Sequence, residues 1–261
     1  MRSLAALLCG ALVGVLGGLI GLGGAEFRLP LLVGVFRYRI LQAITINLAV
    51  SLATVAFSFA FRTREVTLEA VAAHAPIILN ILGGSILGSF LGVRFATRVD
   101  ERWLHRGAAL LLIFLSFVLM GHEWLFGGQG PELPTLVLFP VALIAGLGIG
   151  LVSSMLGVAG GELIIPTIVL LFSVDIKLAG SLSLAISAPT ILMGLWRYQH
   201  KQGSILKSSS AGFVAWMAAG SMAGAFVGTW LLHFVSSPSL HFILGAVLLA
   251  SAAKMLSQRV A

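Results

Sequence analysis

The sequence predicts an all-α polytopic membrane protein of two inverted-topology repeats, with glycine-broken helices and short half-helices. Three observations carry that expectation. Of the 261 residues, 59% are apolar and only 10% charged, with a mean hydropathy of +1.07, whereas soluble domains hold about 45–50% apolar and 25% charged residues. The apolar residues fall into long uninterrupted runs. The first part of the chain also recurs at an offset of 136 residues.

Runs of about twenty apolar residues cross about 30 Å of hydrocarbon as a helix. Eight such runs lie at 4–20, 40–61, 71–93, 107–121, 135–156, 178–196, 211–233 and 239–256. Arg2 followed by an apolar stretch resembles a signal peptide, and Leu7-Leu8-Cys9-Gly10 faintly resembles a lipoprotein cleavage site. The same stretch recurs at 136 residues' distance, and Leu8 is too large to precede a lipoprotein cysteine, so the helix is expected to be retained. Two shorter apolar pieces, 26–36 and 162–172, follow glycine-rich breaks at 21–25 and 157–161 and are too short to cross alone. They read as half-helices.

Aligning Pro30 with Pro166 brings Gly14, Gly21, Gly24, Glu26 and Phe36 onto Gly150, Gly157, Gly160, Glu162 and Phe172 without a gap. Over 14–54, thirteen of forty-one positions are identical, where roughly three or four are expected by chance. Gly84, Ser85, Gly88 and Gly92 fall on Gly220, Ser221, Gly224 and Gly228 in the same register. The chain therefore divides into a first repeat, 1–121, a linker, 122–134, and a second repeat, 135–261.

Charge decides how the repeats are oriented. If each short piece reverses the chain, Arg2, Arg37, Arg39, Arg94, Arg98, Arg102, Arg106, Arg197, Lys201, Lys207, Lys254 and Arg259 share one side, and Arg62, Arg64 and Lys177 lie opposite. Without that reversal the basic residues divide evenly. The positive-inside rule selects the biased arrangement, with inverted halves and both termini cytoplasmic. The net charge of +7 is thus orientation charge, spread along the chain, and does not point to a nucleic-acid partner. A single cysteine, Cys9, excludes an intrachain disulfide and a cysteine metal cluster, and neither a metal nor a cofactor is expected.

Broken backbone at membrane depth survives only where protein or a water-filled cavity satisfies its polar groups. Matching breaks in inverted halves point to a transporter's central site, and the amide groups opening each half-helix favour an anion. The candidate substrate site comprises the backbone at Gly21, Gly23, Gly24, Ala25, Gly157, Gly160 and Gly161 with Arg28, Asn47, Ser51, Ser183 and Ser187. Thr45, Thr54, Ser181 and Thr190 share the neighbouring helices, although hydroxyls in membrane helices also bond their own backbone. Arg28 has Ile164 as its counterpart. It either attracts the anion or neutralises Glu26. Two readings also stand for Glu26 and Glu162: proton carriers in a desolvated site, or first-turn carboxylates that cap their half-helices. The third-helix glycines read as packing positions. Trp103, Trp124, Trp196, Tyr198 and Trp230 read as an interfacial aromatic belt, and His105 and His241 as interfacial residues.

At Gly21-Leu22-Gly23-Gly24-Ala25-Glu26-Phe27-Arg28-Leu29-Pro30 and at Gly157-Val158-Ala159-Gly160-Gly161-Glu162-Leu163-Ile164-Ile165-Pro166, the chain resembles the sulfite exporter TauE/SafE family of bacterial membrane permeases. The resemblance covers essentially the whole length. It implies a permease of the cytoplasmic membrane that moves sulfur-containing anions such as sulfite or a sulfonate, generally outward. Ala25 and Ala159 depart from the family's glycine triplets, and Glu26-Phe27-Arg28 stands where many members are apolar. With the two carboxylates, this makes proton-coupled export of a small anion the leading expectation. An anion channel, or a carrier of another organic acid or metal ion, is the alternative. A membrane-embedded enzyme or accessory subunit is a third reading, against which no His-Glu-x-x-His, Asp-Asp or Ser-His constellation lies within the spans.

Overall fold

The computed structural model describes residues 2–95, 101–121, 135–156, 158, 160–202 and 211–257. Among them the regular structure is helical: α1 Arg2–Ile20, α2 Ala25–Pro30, α3 Ile40–Arg62, α4 Leu68–Ala73, α5 Ala75–Phe95, α6 Glu101–Met120, α7 Thr135–Leu156, α8 Gly161–Phe172, α9 Ile176–Gln202, α10 Ala211–Leu232 and α11 Ser237–Ser257. Six of these (α1, α3, α5, α7, α9 and α10) are long and apolar enough to cross a membrane. The proposed linker, 122–134, lies outside the described residues. Each expected long run is a helix. The third begins with a break at His74, whose ring nitrogen meets the carbonyl of Ala70 at 2.8 Å, so that α4 turns into α5.

The short pieces are half-helices. Pro30 ends α2, and a π-helical turn, Leu31–Val35, extends it to Phe36; α8 runs unbroken through Pro166. Both end at the same repeat position in a left-handed residue, Arg37 at φ 56° and Ser173 at φ 53°. That conformation costs an L-residue about 1–2 kcal/mol, and it turns the chain back toward α3 and α9.

Side chains are distributed as a lipid solvent requires. Leu4, Leu8 and Leu12 of α1, Phe114 and Phe117 of α6, and Phe139 and Ile144 of α7 face outward, while Thr54, Ser58, Ser85, Ser89, Ser183 and Ser187 are buried. Apolar burial cannot drive helices together in hydrocarbon, so close backbone approach takes its place. Gly220, Gly224 and Gly228 of α10 lie directly on the backbones of Leu7, Ala11 and Val15 in α1, and Gly84, Gly88 and Gly92 of α5 on Leu143, Leu147 and Leu151 in α7. The 136-residue register thus holds in the packing: the first helix of each repeat docks in parallel on the third helix of the other.

The central pair, α3 and α9, runs in opposite directions. Leu48, early in α3, sits by Gly194, late in α9, and Arg62 at the end of α3 bonds Lys177 and Ser181 at the start of α9. At the opposite face the starts of α1 and α3 lie together. There Arg2 Nη2 donates to the Phe36 carbonyl at 2.8 Å, and its guanidinium covers the Tyr38 ring at 5.4 Å. The outer helices α6 and α11 pack on each other, with the Ser116 hydroxyl donating to the Gly245 carbonyl at 2.7 Å.

Candidate functional site

The glycine breaks are built alike. Gly24 (φ 71°) precedes α2 and Gly160 (φ 76°) precedes α8, both left-handed and at one repeat position. Gly21 and Gly23 are left-handed as well, at φ 95° and 77°. Gly24 packs its α-carbon on Val13, and Gly160 on Ser153, so a side chain there meets both an unfavourable φ and occupied space. Gly24→Ala and Gly160→Ala are each expected to cost at least about 1–2 kcal/mol, read as a lowered melting temperature of the purified protein in detergent.

The two breaks touch. A Cβ built on Gly161 stands 3.0 Å from the Leu22 α-carbon and 3.3 Å from the Gly21 carbonyl. One built on Gly21 stands 2.7 Å from the Gly180 carbonyl. Interrupted backbone from one half therefore lies against interrupted backbone from the other, with α8 and α9 closing around it. Gly157 and Ala159 lie outside the described residues.

The polar residues of the first half are committed to that backbone. Arg28 is fully buried. Its Nη1 donates to Ser51 Oγ at 2.8 Å and to Asn47 Oδ1 at 3.4 Å, and its Nη2 donates to the Gly23 carbonyl and to Ser221 Oγ, both at 3.2 Å. Asn47 Nδ2 donates to the Ala25 carbonyl at 2.9 Å. Arg28 thus serves the Gly23 carbonyl inside the break and Asn47 the Ala25 carbonyl in the first turn of α2, where irregular backbone needs protein partners. Arg28 Nε alone is buried without an acceptor. Arg28→Met leaves several buried acceptors without a donor at about 1–3 kcal/mol for each one unmet. The variant is expected to melt lower than Ile164→Met, the equivalent change in the half that never carried the arginine.

The second half lacks this plug. Ser183 and Ser187, the counterparts of Asn47 and Ser51, are buried with hydroxyls that make no hydrogen bond, and so is Ser153 beside Gly160. Beyond them, Ser85 Oγ and Thr190 Oγ1 share a hydrogen bond of 2.6 Å. A small cavity is lined by Leu48, Ser89, Ser153, Ser154, Val158, Thr190, Ile191 and Gly194; its volume of about 10 Å³ is close to the room one water needs.

Both carboxylates belong to this centre. Glu162 is buried and feels the charge of Glu26 from the other half, and Arg28 feels the charge of Glu26 as well. Neither oxygen of Glu26, and not Oε2 of Glu162, takes a hydrogen bond from another residue. Gly24 and Gly160, the residues that precede α2 and α8, offer no side-chain cap.

The family comparison accords with this fold of long apolar helices. The model of the family described as sulfite exporter TauE/SafE matches residues 1–120 and 142–260. The chain belongs to this family. Neither a curated protein nor a solved structure matches it. As a TauE/SafE protein it is a multi-pass membrane transporter of the sulfite-exporter type.

Two residues of this TauE/SafE chain carry roles that sequence reasoning missed. Tyr198, assigned above to the interfacial belt, is buried, and its hydroxyl donates to the Ser154 carbonyl at 3.0 Å. Trp196 and Trp230 do face outward. Arg62, counted among the orienting charges, is 1% exposed and donates to the carbonyls of Gly18 and Leu19. Arg62 and Tyr198 occupy one repeat position, as do Gly18 and Ser154. Each donates to a carbonyl near the end of its repeat's first helix, where the glycine break takes away the next turn's N–H groups. Their shared offset of 136 residues was the available clue.

Proposed function

We propose that the protein exports a small anion, sulfite or an organosulfonate, across the bacterial cytoplasmic membrane in exchange for, or together with, protons. Two halves of inverted topology rock about the central helices with both termini in the cytoplasm. The observation that supports this reading best is the contact between the two glycine breaks, which brings Glu26 and Glu162 into one centre. Inverted halves are inferred from the opposed directions of α3 and α9, and from the parallel docking of each first helix on the other repeat's third helix.

In this reading the anion sits at the first turns of α2 and α8. The backbone at Gly21, Gly23, Gly24, Ala25, Gly160 and Gly161 shapes the seat, and the hydroxyls of Ser183 and Ser187 donate to the anion. Their lack of protein partners supports that role, because buried hydroxyls are ordinarily bonded. Arg28 supplies positive charge and holds the seat through Asn47 and Ser51. Glu26, neither of whose oxygens is bonded by another residue, and Glu162, whose Oε2 is not, carry the proton. A charge crossing a low-dielectric region is costly, and a proton on either carboxylate reduces the net charge that moves with the cycle.

Reconstitution into liposomes on a solid-supported membrane tests the proposal. Sulfite jumps are expected to evoke currents that saturate and that change with an imposed pH gradient, whereas chloride jumps of equal strength evoke none. Currents that rise linearly with concentration and ignore the gradient would remove the carrier reading in favour of a channel.

A further inference from the structure

Arg62 does more than serve the end of α1, for its planar fork is divided between the two halves. Nη1 donates to Gly18 and Leu19 of the first repeat at 2.9 and 3.1 Å. Nη2 donates to the Lys177 carbonyl at 2.8 Å and Nε to Ser181 Oγ at 3.2 Å, both in the second repeat. Four hydrogen bonds from one buried guanidinium thus join the ends of α1 and α3 to the start of α9. The fit is close. A Cβ on Gly180 would stand 2.6 Å from Nη2 and 2.6 Å from the Ile20 carbonyl, so only glycine lets α9 approach the group.

At the opposite face the same repeat position holds no arginine. Tyr198, at the same repeat position, has one phenolic proton and spends it within its own half on Ser154. The cavity lined by Ser89, Ser153, Thr190 and Gly194 lies on that side. Ser58, which matches Gly194 in the repeat, is fully buried with its hydroxyl unbonded. At this repeat position the two faces therefore differ: an arginine that bonds both halves at once stands where the other face has a tyrosine that bonds only its own.

We propose that Arg62 is a latch that holds the two halves together at the face where α3 ends, and that its bonds to Lys177 and Ser181 must break for that face to open. The latch rests on the transport reading above. Opening parts α9 from α1 and α3. Nη1 then keeps its two carbonyls, while Nε and Nη2 pass to water entering the mouth. The charge is never left without acceptors, so the latch can open without unfolding the end of α1.

Cysteine accessibility tests the latch without reference to a substrate. In full-length protein with Cys9→Ala, the reporter Ser58→Cys lies one turn inside the latch. Gly194→Cys reports on the opposite face, where a Cβ meets only Ser89 Oγ at 3.5 Å and Leu48 at 3.9 Å. A membrane-impermeant methanethiosulfonate is applied to each side of the membrane in turn. Loss of two ordinary hydrogen bonds in Arg62→Gln is expected to speed modification at position 58 about tenfold from the outer side and to slow it at position 194. Tyr198→Phe is expected to leave position 58 unchanged. If Arg62→Gln fails to fold, Ser181→Ala, which removes only the bond to Nε, is read in the same way and gives a smaller rise.

Unchanged modification at position 58 in folded Arg62→Gln, or in Ser181→Ala where only that variant folds, overturns the latch. Sulfite current is measured on the same samples. Flat modification beside an intact parent current overturns the latch alone. Raised modification without parent current supports the latch and removes the transport reading.

Discussion

Replacing Glu26 and Glu162 together by glutamine is expected to abolish the response of sulfite-evoked current to a pH gradient. A gradient of one pH unit is worth 1.36 kcal/mol for each coupled proton, or about tenfold in the accumulation the parent can sustain. Glutamine keeps the size and polarity of the side chain and cannot titrate, so any surviving response must use another group. Each single variant is expected to retain part of the effect. Glu162 feels the charge of Glu26, and removing one carboxylate leaves the other in the same centre, free to carry the proton alone. The double variant should still fold, since neither oxygen of Glu26 nor Oε2 of Glu162 anchors a hydrogen bond from another residue. A double variant whose current follows the gradient as the parent's does would eliminate both carboxylates as the proton path.

The second large effect concerns two glycines of α7 that stand two residues apart. A Cβ on Gly150 would run into the Ser85 carbonyl of α5, whereas one on Gly148 meets nothing. Gly150→Ala must push α7 off α5 along their whole seam, because the obstacle is backbone and cannot rotate away. It is expected to cost about 3 kcal/mol, the upper part of the range for overpacking, with loss of monodisperse protein in detergent. Gly148→Ala is expected to stabilise by about 0.4–1 kcal/mol, because alanine has less freedom to lose in a helix. Fluorescence-detected size exclusion after graded heating measures both. Equal melting of the two variants would show that the α5 and α7 backbones are not in contact.

Glycine was legible as a packing residue from its spacing at 84, 88 and 92, and again at 220, 224 and 228. The spacing could not name the partner. In the structure α5 docks on α7, and α1 on α10, each across the repeat boundary. Gly10, Gly14 and Gly18 of α1 and Gly146 and Gly150 of α7 meet those glycine faces from the other side, and spacing alone does not say which glycine-bearing helices pair.

Of the candidate site, the two breaks and their shared repeat position were legible; that they touch was not. The division of labour among the polar residues was not. Arg28, Asn47 and Ser51 looked like ligands, and in the structure they are bonded to one another and to the carbonyls of Gly23 and Ala25. Ser183 and Ser187, the plainer residues of the second half, are the ones without a partner. That asymmetry stems from one substitution between the repeats, Arg28 against Ile164. Sequence shows the difference but cannot say which acceptors the arginine consumes.

What the sequence settled by itself is everything that depends on local pattern: the apolar lengths that cross a bilayer, the glycines that break the backbone before two short helices, and the 136-residue register. Each reflects the behaviour of a short segment in lipid, where backbone must be bonded within its own helix or held by protein. Only the tertiary structure decided which groups meet the broken backbone. A carbonyl released by a glycine turn takes whichever donor the packing brings to it. That donor is Arg62 for α1 and Tyr198 for α7, and each lies more than forty residues along the chain from the carbonyl it serves.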